Sequence, residues 1–204
     1  MIRKPQYKIA RRLGEKIFPK TQTQKFALRS GRKATTTGKR PKQKTEYGQQ
    51  FLEKQKVKLS YGLLEKQFVR YVKEAREHGR TNPVLSLYTR LETRLDNVVF
   101  RMGFAPSRAA ARQIVSHGHI CINGTRTTVP SYNVLANDTI TLRAGSKASP
   151  LFKDLEQKLK NHKSPDWLLT DPTTHETKVQ GLPTTIQQDV NLNFNAVLEL
   201  YSRA

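Results

Sequence analysis

A chain of 204 residues with a net charge of +21 and a pI near 10.4 repels itself, so it implies a polyanionic partner, either nucleic acid or an anionic membrane surface. No apolar run approaches the roughly twenty residues of a spanning helix, and MIRKPQYKIARRLG lacks the apolar centre of a secretory signal. A single cysteine, Cys121, excludes an internal disulfide framework and a cysteine-rich zinc site, and a reducing intracellular compartment is expected.

The charge is graded along the chain. Residues 1–50 hold 15 Lys and Arg against 2 acids, 51–90 hold 9 against 4, 91–143 hold 6 against 3, and 144–204 hold 7 against 7. Residues 1–45 show little apolar periodicity. Arg29 to Lys44 cannot bury enough surface to fold alone. It is expected to stay disordered until phosphates neutralise Lys33, Lys39, Arg40, Lys42 and Lys44, with steep salt dependence. The plainer alternative is a solvated tail that aids solubility. It is disfavoured because so basic a tail gathers nucleic acid whether or not it is used. Ile9 to Phe18 mixes apolar and basic residues and suits one or two helical turns.

Tyr47 to Val57 reads as a helix, with Tyr47, Phe51 and Leu52 toward a core and Lys54, Lys56 and Lys58 on basic edges. Leu64, Phe68, Tyr71, Val72 and Ala75 then recur at helical spacing, opposite Lys66, Arg70 and Lys73. These aromatics are read as core rather than as a base-stacking platform. Gly79 is a stop signal. Asn82 as N-cap and Pro83 in the first turn restart a helix carrying Val84, Leu87, Tyr88 and Leu91.

Leu91 to Arg143 is the most strongly patterned stretch. Thr93 and Asp96 fit a capping box, so a helix is expected from Arg94, although the apolar pattern also runs through from Val84. Leu95, Val98, Val99 and Met102 form its buried stripe, and Arg94, Asn97 and Arg101 are placed on its outer face. Gly103 ends it. Ser107 caps the next helix, with Ala111, Ile114 and Val115 inward and Arg108, Arg112 and Gln113 outward. His119 to Ile122 reads as a strand, Asn123-Gly124 as a hairpin turn, Thr125 to Val129 as the return strand and Thr139 to Arg143 as a third. Beyond it, Leu151, Phe152, Leu155 and Leu159 suggest a helix to about His162, and Trp167 to Leu169 an apolar anchor. Thr170 to Gln188 reads as loop, and Ala196 to Tyr201 as a β-like run that needs a partner.

The residue types on the two central helices suit RNA. Guanidinium groups are planar, permanently charged and bidentate to phosphate, so Arg94, Arg101, Arg108 and Arg112 would hold a backbone in one orientation. Ser107 lies at a helix N-terminus, where free N–H groups favour phosphate. Asn97 and Gln113 suit sugar hydroxyls and base edges. The alternative is a solvated helix face with ordinary capping. His117 reads as a phosphate or sugar contact or as a neutral junction residue. His117 and His119 lack partners for a metal site. Cys121 reads as core rather than nucleophile. There is no Gly-rich phosphate loop, no nucleophile–base order and no paired carboxylates, so no catalysis, cofactor or metal is expected.

Arg94 to Val134, RLDNVVFRMGFAPSRAAARQIVSHGHICINGTRTTVPSYNV, resembles the RNA-binding module of ribosomal protein four of the small subunit, of the bacterial and organellar type. Tyr47-Gly48 with Glu53 to Ala75 is similar to the helical domain of that family, and Leu198 to Arg203 to its C-terminus. The module also occurs in pseudouridine synthases and tyrosyl-tRNA synthetases, and the flanking helical domain argues against those. The resemblance implies an α+β fold: a disordered basic N-terminal arm (1–45), a mainly helical domain (46–90 with about 164–204) completed by the C-terminus, and an inserted RNA-binding domain (91–163) of two helices and a short antiparallel sheet. It implies early binding to small-subunit ribosomal RNA at a junction of the 5′ domain, neighbours in small-subunit proteins three and five, and a border on the messenger RNA channel at Arg40, Lys42 and Lys44. Tyr47, Lys54, Lys56, Lys58 and Arg70 are the expected RNA contacts of the helical domain. Some relatives carry zinc-binding cysteines near the N-terminus, and this chain has none before Cys121. The expected location is the ribosome of the cytoplasm, or of a plastid or other organelle. The second reading is a free-standing RNA chaperone or regulator built on the same module.

Overall fold

The computed structural model of the chain describes residues 5–29, 44–79, 82–186 and 192–203. In chain order its first elements are α1 (Gln6–Leu13), α2 (Glu46–Ser60), α3 (Glu65–His78), α4 (Pro83–Glu92), α5 (Leu95–Arg101) and α6 (Arg108–Ser116). Then come β1 (Ile120–Ile122), β2 (Thr125–Thr127), β3 (Thr139–Leu142), α7 (Ala144–Lys147), α8 (Leu155–Asn161), β4 (Leu168–Asp171), β5 (Glu176–Val179) and α9 (Phe194–Ser202). They form two units, residues 1–84 with 187–204 and residues 85–186.

The first unit is helical. Thr45 caps α2, its hydroxyl accepting from the Gly48 N–H, and Asn193 caps α9 by accepting from Ala196. Phe194, Val197 and Leu200 are buried at helical spacing, so Ala196 to Tyr201 is helix and not the expected β-like run. A run of six residues carries too little period to separate the two, and packing on α2 decides. The C-terminus is tied down as expected: the Arg76 guanidinium donates to the Tyr201 carbonyl at 2.7 Å, and the Phe68 and Tyr201 rings lie 6.3 Å apart. Phe68, Tyr71, Val72 and Ala75 are buried as a core stripe. Tyr47, placed toward the core from its spacing, is instead exposed, while Phe51 and Leu52 are half-buried.

In the second unit α5 and α6 pack on one face of an antiparallel sheet. Leu95, Val98, Val99 and Met102 meet Ala111, Ile114 and Val115 over Ile120, Ile122, Ile140 and Leu142. Asn123-Gly124 takes positive φ at both positions (49° and 79°), the hairpin turn its sequence demands. The sheet has five strands in the order β2-β1-β3-β5-β4, where the sequence suggests three. The extra pair falls within and beside Thr170 to Gln188, which reads as loop. Of the two inward positions on β5, Thr177 and Val179, the first is buried and polar, so only one apolar residue marks the alternation. Cys121 alternates away from the core and is partly exposed, which corrects its core assignment. Leu151 is likewise exposed, in a 3₁₀ turn over Pro150–Phe152, and the α-helix starts only at Leu155.

The start of α5 differs from the expected capping box. The N-cap is Arg94 and not Thr93, whose hydroxyl, with one proton to donate, lies 2.8 Å from the Thr89 carbonyl and 2.7 Å from Asn133 Oδ1 instead of capping the helix. The loop before β3 supplies the missing caps: Leu95 and Asp96 N–H donate to the Tyr132 and Pro130 carbonyls at 2.9 and 3.0 Å.

Candidate nucleic-acid interface

The end of α4 brings Glu92 under the two central helices. Glu92 is fully buried, and it organises what lies above it. Arg101 donates from Nε to Glu92 Oε2 at 2.9 Å and from Nη2 to Oε1 at 3.0 Å, a two-point fork. Asn97 Nδ2 donates to the same Oε2 at 2.9 Å and to the Glu92 carbonyl at 3.0 Å. Asn97 Oδ1 in turn accepts from Arg108 Nε at 2.7 Å. The Arg108 guanidinium lies 4.7 Å over the Phe100 ring.

A second buried carboxylate, Asp96, takes Arg94. Arg94 Nε and Nη2 reach Asp96 Oδ1 and Oδ2 at 3.0 and 2.6 Å, and Arg112 Nη1 stands 3.9 Å from Oδ2. Four guanidiniums therefore sit over two carboxylates. Their side-chain exposure rises from 2% at Arg94 through 11% at Arg101 and 20% at Arg108 to 38% at Arg112.

The structure thus gathers Arg94, Asn97, Arg101, Arg108 and Arg112 into one network, but it corrects the outer-face placement of Arg94 and Asn97, both buried. The helical period is right. The side chains turn inward because Asp96 and Glu92 give their polar groups partners, which spacing alone cannot show. Ser107 accepts from the Ala110 N–H at 3.2 Å as the N-cap of α6, and Gln113 and His117 are exposed on that helix and at its end. Glu92 and Phe100 do not stand out as site residues in the sequence. The partnership of Glu92 and Arg101 spans nine residues and a helix break, beyond any i, i+4 rule. The one signal available is a glutamate next to Leu91 in an apolar stripe.

In the helical unit the expected contact lysines are paired within the protein. Lys54 and Lys58 both donate to the Glu65 carboxylate, and Lys56 to Glu15 at 2.6 Å and Glu53 at 2.7 Å. Burial opposes both charges. At Glu65 the bonds from Lys54 and Lys58 outweigh it and hold the carboxyl at about 2; at Lys56 the two carboxylates outweigh it and raise the pKa. Arg70 is exposed beside Glu74 at 3.6 Å, and Lys44 is exposed. Arg40 and Lys42 lie outside the described residues. Among the described residues no cluster of His, Cys, Asp and Glu could hold a metal ion, and no helix is long and apolar enough to cross a membrane.

This architecture defines an α+β protein in which a helical unit accompanies a two-helix, sheet-backed module with a carboxylate-organised arginine array. Comparison with known proteins agrees. The profile described as S4 domain matches residues 93–140, and that described as Ribosomal protein S4/S9 N-terminal domain matches residues 1–92. The chain is 41% identical over 206 residues to small ribosomal subunit protein uS4 of Roseiflexus sp. (strain RS-1), covering 98% of each chain. It is 42% identical over 207 residues to the uS4 of Natranaerobius thermophilus, covering 98% of this chain and 97% of that one. To the uS4 of Herpetosiphon aurantiacus it is 46% identical over 167 residues, 80% and 78% of the two chains. The chain belongs to the uS4 family of small ribosomal subunit proteins.

Proposed function

We infer that the chain is a structural, non-catalytic constituent of the small ribosomal subunit that holds small-subunit ribosomal RNA against α5 and α6. The observation that carries this reading is the arginine array. Two buried carboxylates orient four guanidiniums with a net charge of +2, and the most exposed, Arg108 and Arg112, lie on α6 beside Gln113 and His117. Pre-oriented guanidinium forks suit a phosphate backbone, because the side-chain entropy of ordering them is already spent in the fold.

The finer parts of the reading are early binding at a 5′-domain junction that nucleates assembly, neighbours in small-subunit proteins three and five, and a border on the messenger RNA channel at Arg40, Lys42 and Lys44. Family membership and the 15 basic residues among the first 50 support them. Arg94 and Asn97 serve the array from beneath rather than touching RNA. Arg70 and Tyr47 are the accessible contacts of the helical unit, whereas Lys54, Lys56 and Lys58 would have to exchange carboxylate partners for phosphate.

Arg108→Ala with Arg112→Ala is expected to weaken binding to a small-subunit RNA fragment and to make the salt slope shallower by about 1–2, at roughly 0.7–0.9 for each phosphate that is no longer neutralised. Unchanged affinity and slope would sink the assignment. A tagged chain should co-migrate with small subunits after a high-salt wash; release into the soluble fraction would favour a free-standing regulator.

A further inference from the structure

The chain contains one Asn-Gly pair, Asn123-Gly124, at the tip of the hairpin between β1 and β2. Asparagine before glycine is chemically labile. The glycine nitrogen has no Cβ beside it to hinder attack on the asparagine carboxamide. Both residues are exposed, and nothing lies within 4 Å of the place a Cβ of Gly124 would take. Solvent therefore reaches the pair.

The fold adds a clamp on the carboxamide. The Asn123 N–H donates to the Thr139 carbonyl at 2.9 Å, and the Thr139 N–H donates to Asn123 Oδ1 at 2.9 Å. The side chain thus stands in for a main-chain carbonyl and continues the β1–β3 ladder one step past the Ile122–Ile140 pair. Its other end is held too, because Nδ2 donates to Asp138 Oδ1 at 2.8 Å. Asp138 is itself fixed. It is buried, its Oδ2 accepts from the Leu135 N–H at 2.8 Å, and its carbonyl accepts from the Val179 N–H of β5 at 3.0 Å. The partners also fix the orientation of the amide, since a main-chain N–H only donates and a carboxylate only accepts. Ring closure on the Gly124 nitrogen requires the carboxamide to turn toward it and to give up both bonds.

We propose that Asn123 is a deamidation site, kept closed in the folded chain by Asp138 and Thr139 and opened when the segment before β3 lets go. The Gly124 nitrogen bonds to Asn123 Cγ, the Cγ–Nδ2 bond breaks, and Nδ2 leaves with the Gly124 proton as ammonia. Water then adds across either imide C–N bond of the succinimide, giving aspartate or isoaspartate. The aspartate product replaces the donor that faces Asp138 with a second carboxylate oxygen, a like-charge contact. The isoaspartate product lengthens the main chain of a two-residue turn whose geometry sets the strand register. Both products are irreversible in water, so the site marks chains that have spent time with this sheet open.

The test incubates the full chain in mildly alkaline buffer, native and in urea, with peptide mapping by mass spectrometry of asparagine, aspartate and isoaspartate at position 123. Reaction through the open state scales with the fraction open, so the native chain should react about a hundredfold more slowly than the unfolded one. Asp138→Asn, folded by Trp167 fluorescence, should react about tenfold faster than wild type, because it weakens a hydrogen bond to a charged acceptor. Hydrogen exchange at the Thr139 amide reads the same opening without any variant. Urea below the unfolding transition should raise exchange and deamidation in parallel. Equal rates in native buffer and in urea would overturn the proposal, as would a folded Asp138→Asn that reacts no faster than wild type. Deamidation that does not follow Thr139 exchange would overturn the clamp. Aspartate without isoaspartate in urea would overturn the route, and neither product would overturn the site.

Discussion

Glu92→Gln is the sharpest probe of the array. The substitution is isosteric and opens no cavity, so its cost is electrostatic. Glu92 is fully buried and accepts from Asn97 Nδ2, Arg101 Nε and Arg101 Nη2 at 2.9–3.0 Å. In the variant one carboxylate oxygen becomes an NH₂ group that faces a donor, and the Arg101 and Arg108 guanidiniums lose a counter-charge. Breaking a buried pair in this way costs about 3–5 kcal/mol. Arg101 retains 11% side-chain exposure, and water there moves the expectation to the lower end, about 3 kcal/mol. With a urea dependence of about 1.5 kcal/mol per molar for a unit of this size, the midpoint should fall by about 2 M. Trp167 is the chain's single tryptophan and lies in the core of the same unit, so its fluorescence follows that transition. Glu176→Gln, an exposed strand residue, should stay within about 0.5 kcal/mol of wild type as a control. A midpoint shift below about 0.5 M for Glu92→Gln would refute the role given to this carboxylate.

Two further predictions concern stability. The Glu65 carboxyl, held at about 2 by Lys54 and Lys58 against an ordinary 4.5, contributes stability in full above pH 4.5 and loses it as pH falls toward 2. Tyr201 also donates to it at 3.1 Å. Glu65→Gln should therefore flatten the acid limb of stability in that window, read by circular dichroism of urea unfolding; parallel limbs for the two proteins would count against the clamp. Gly103 ends α5 at φ +85°, and a Cβ there would meet the His162 ring at 2.7 Å, next to the bond between His162 Nε2 and the Arg101 carbonyl. Gly103→Ala should cost about 1–2 kcal/mol from the left-handed backbone alone, with the ring contact adding to it. A Trp167 midpoint equal to wild type would show that the helix end tolerates a side chain there.

The sequence by itself determined the charge gradient, the buried stripes of α5 and α6, the Ser107 cap, the Asn123-Gly124 hairpin and the family resemblance. Each of these is written in residues a few positions apart, as helical period, capping chemistry or turn chemistry, and so survives without the fold. Tertiary structure decided the rest. It turned Arg94 and Asn97 inward, because Asp96 and Glu92 satisfy them. It paired β4 with β5 and β5 with β3, because strand pairing is non-local and Thr177 leaves only Val179 to mark the alternation. It made Ala196 to Tyr201 a helix by giving Val197 and Leu200 a place to bury. The same distinction applies to the arginines. Spacing identifies which of them share a helix face, but only the positions of Glu92 and Asp96 show which guanidiniums are already held by carboxylates.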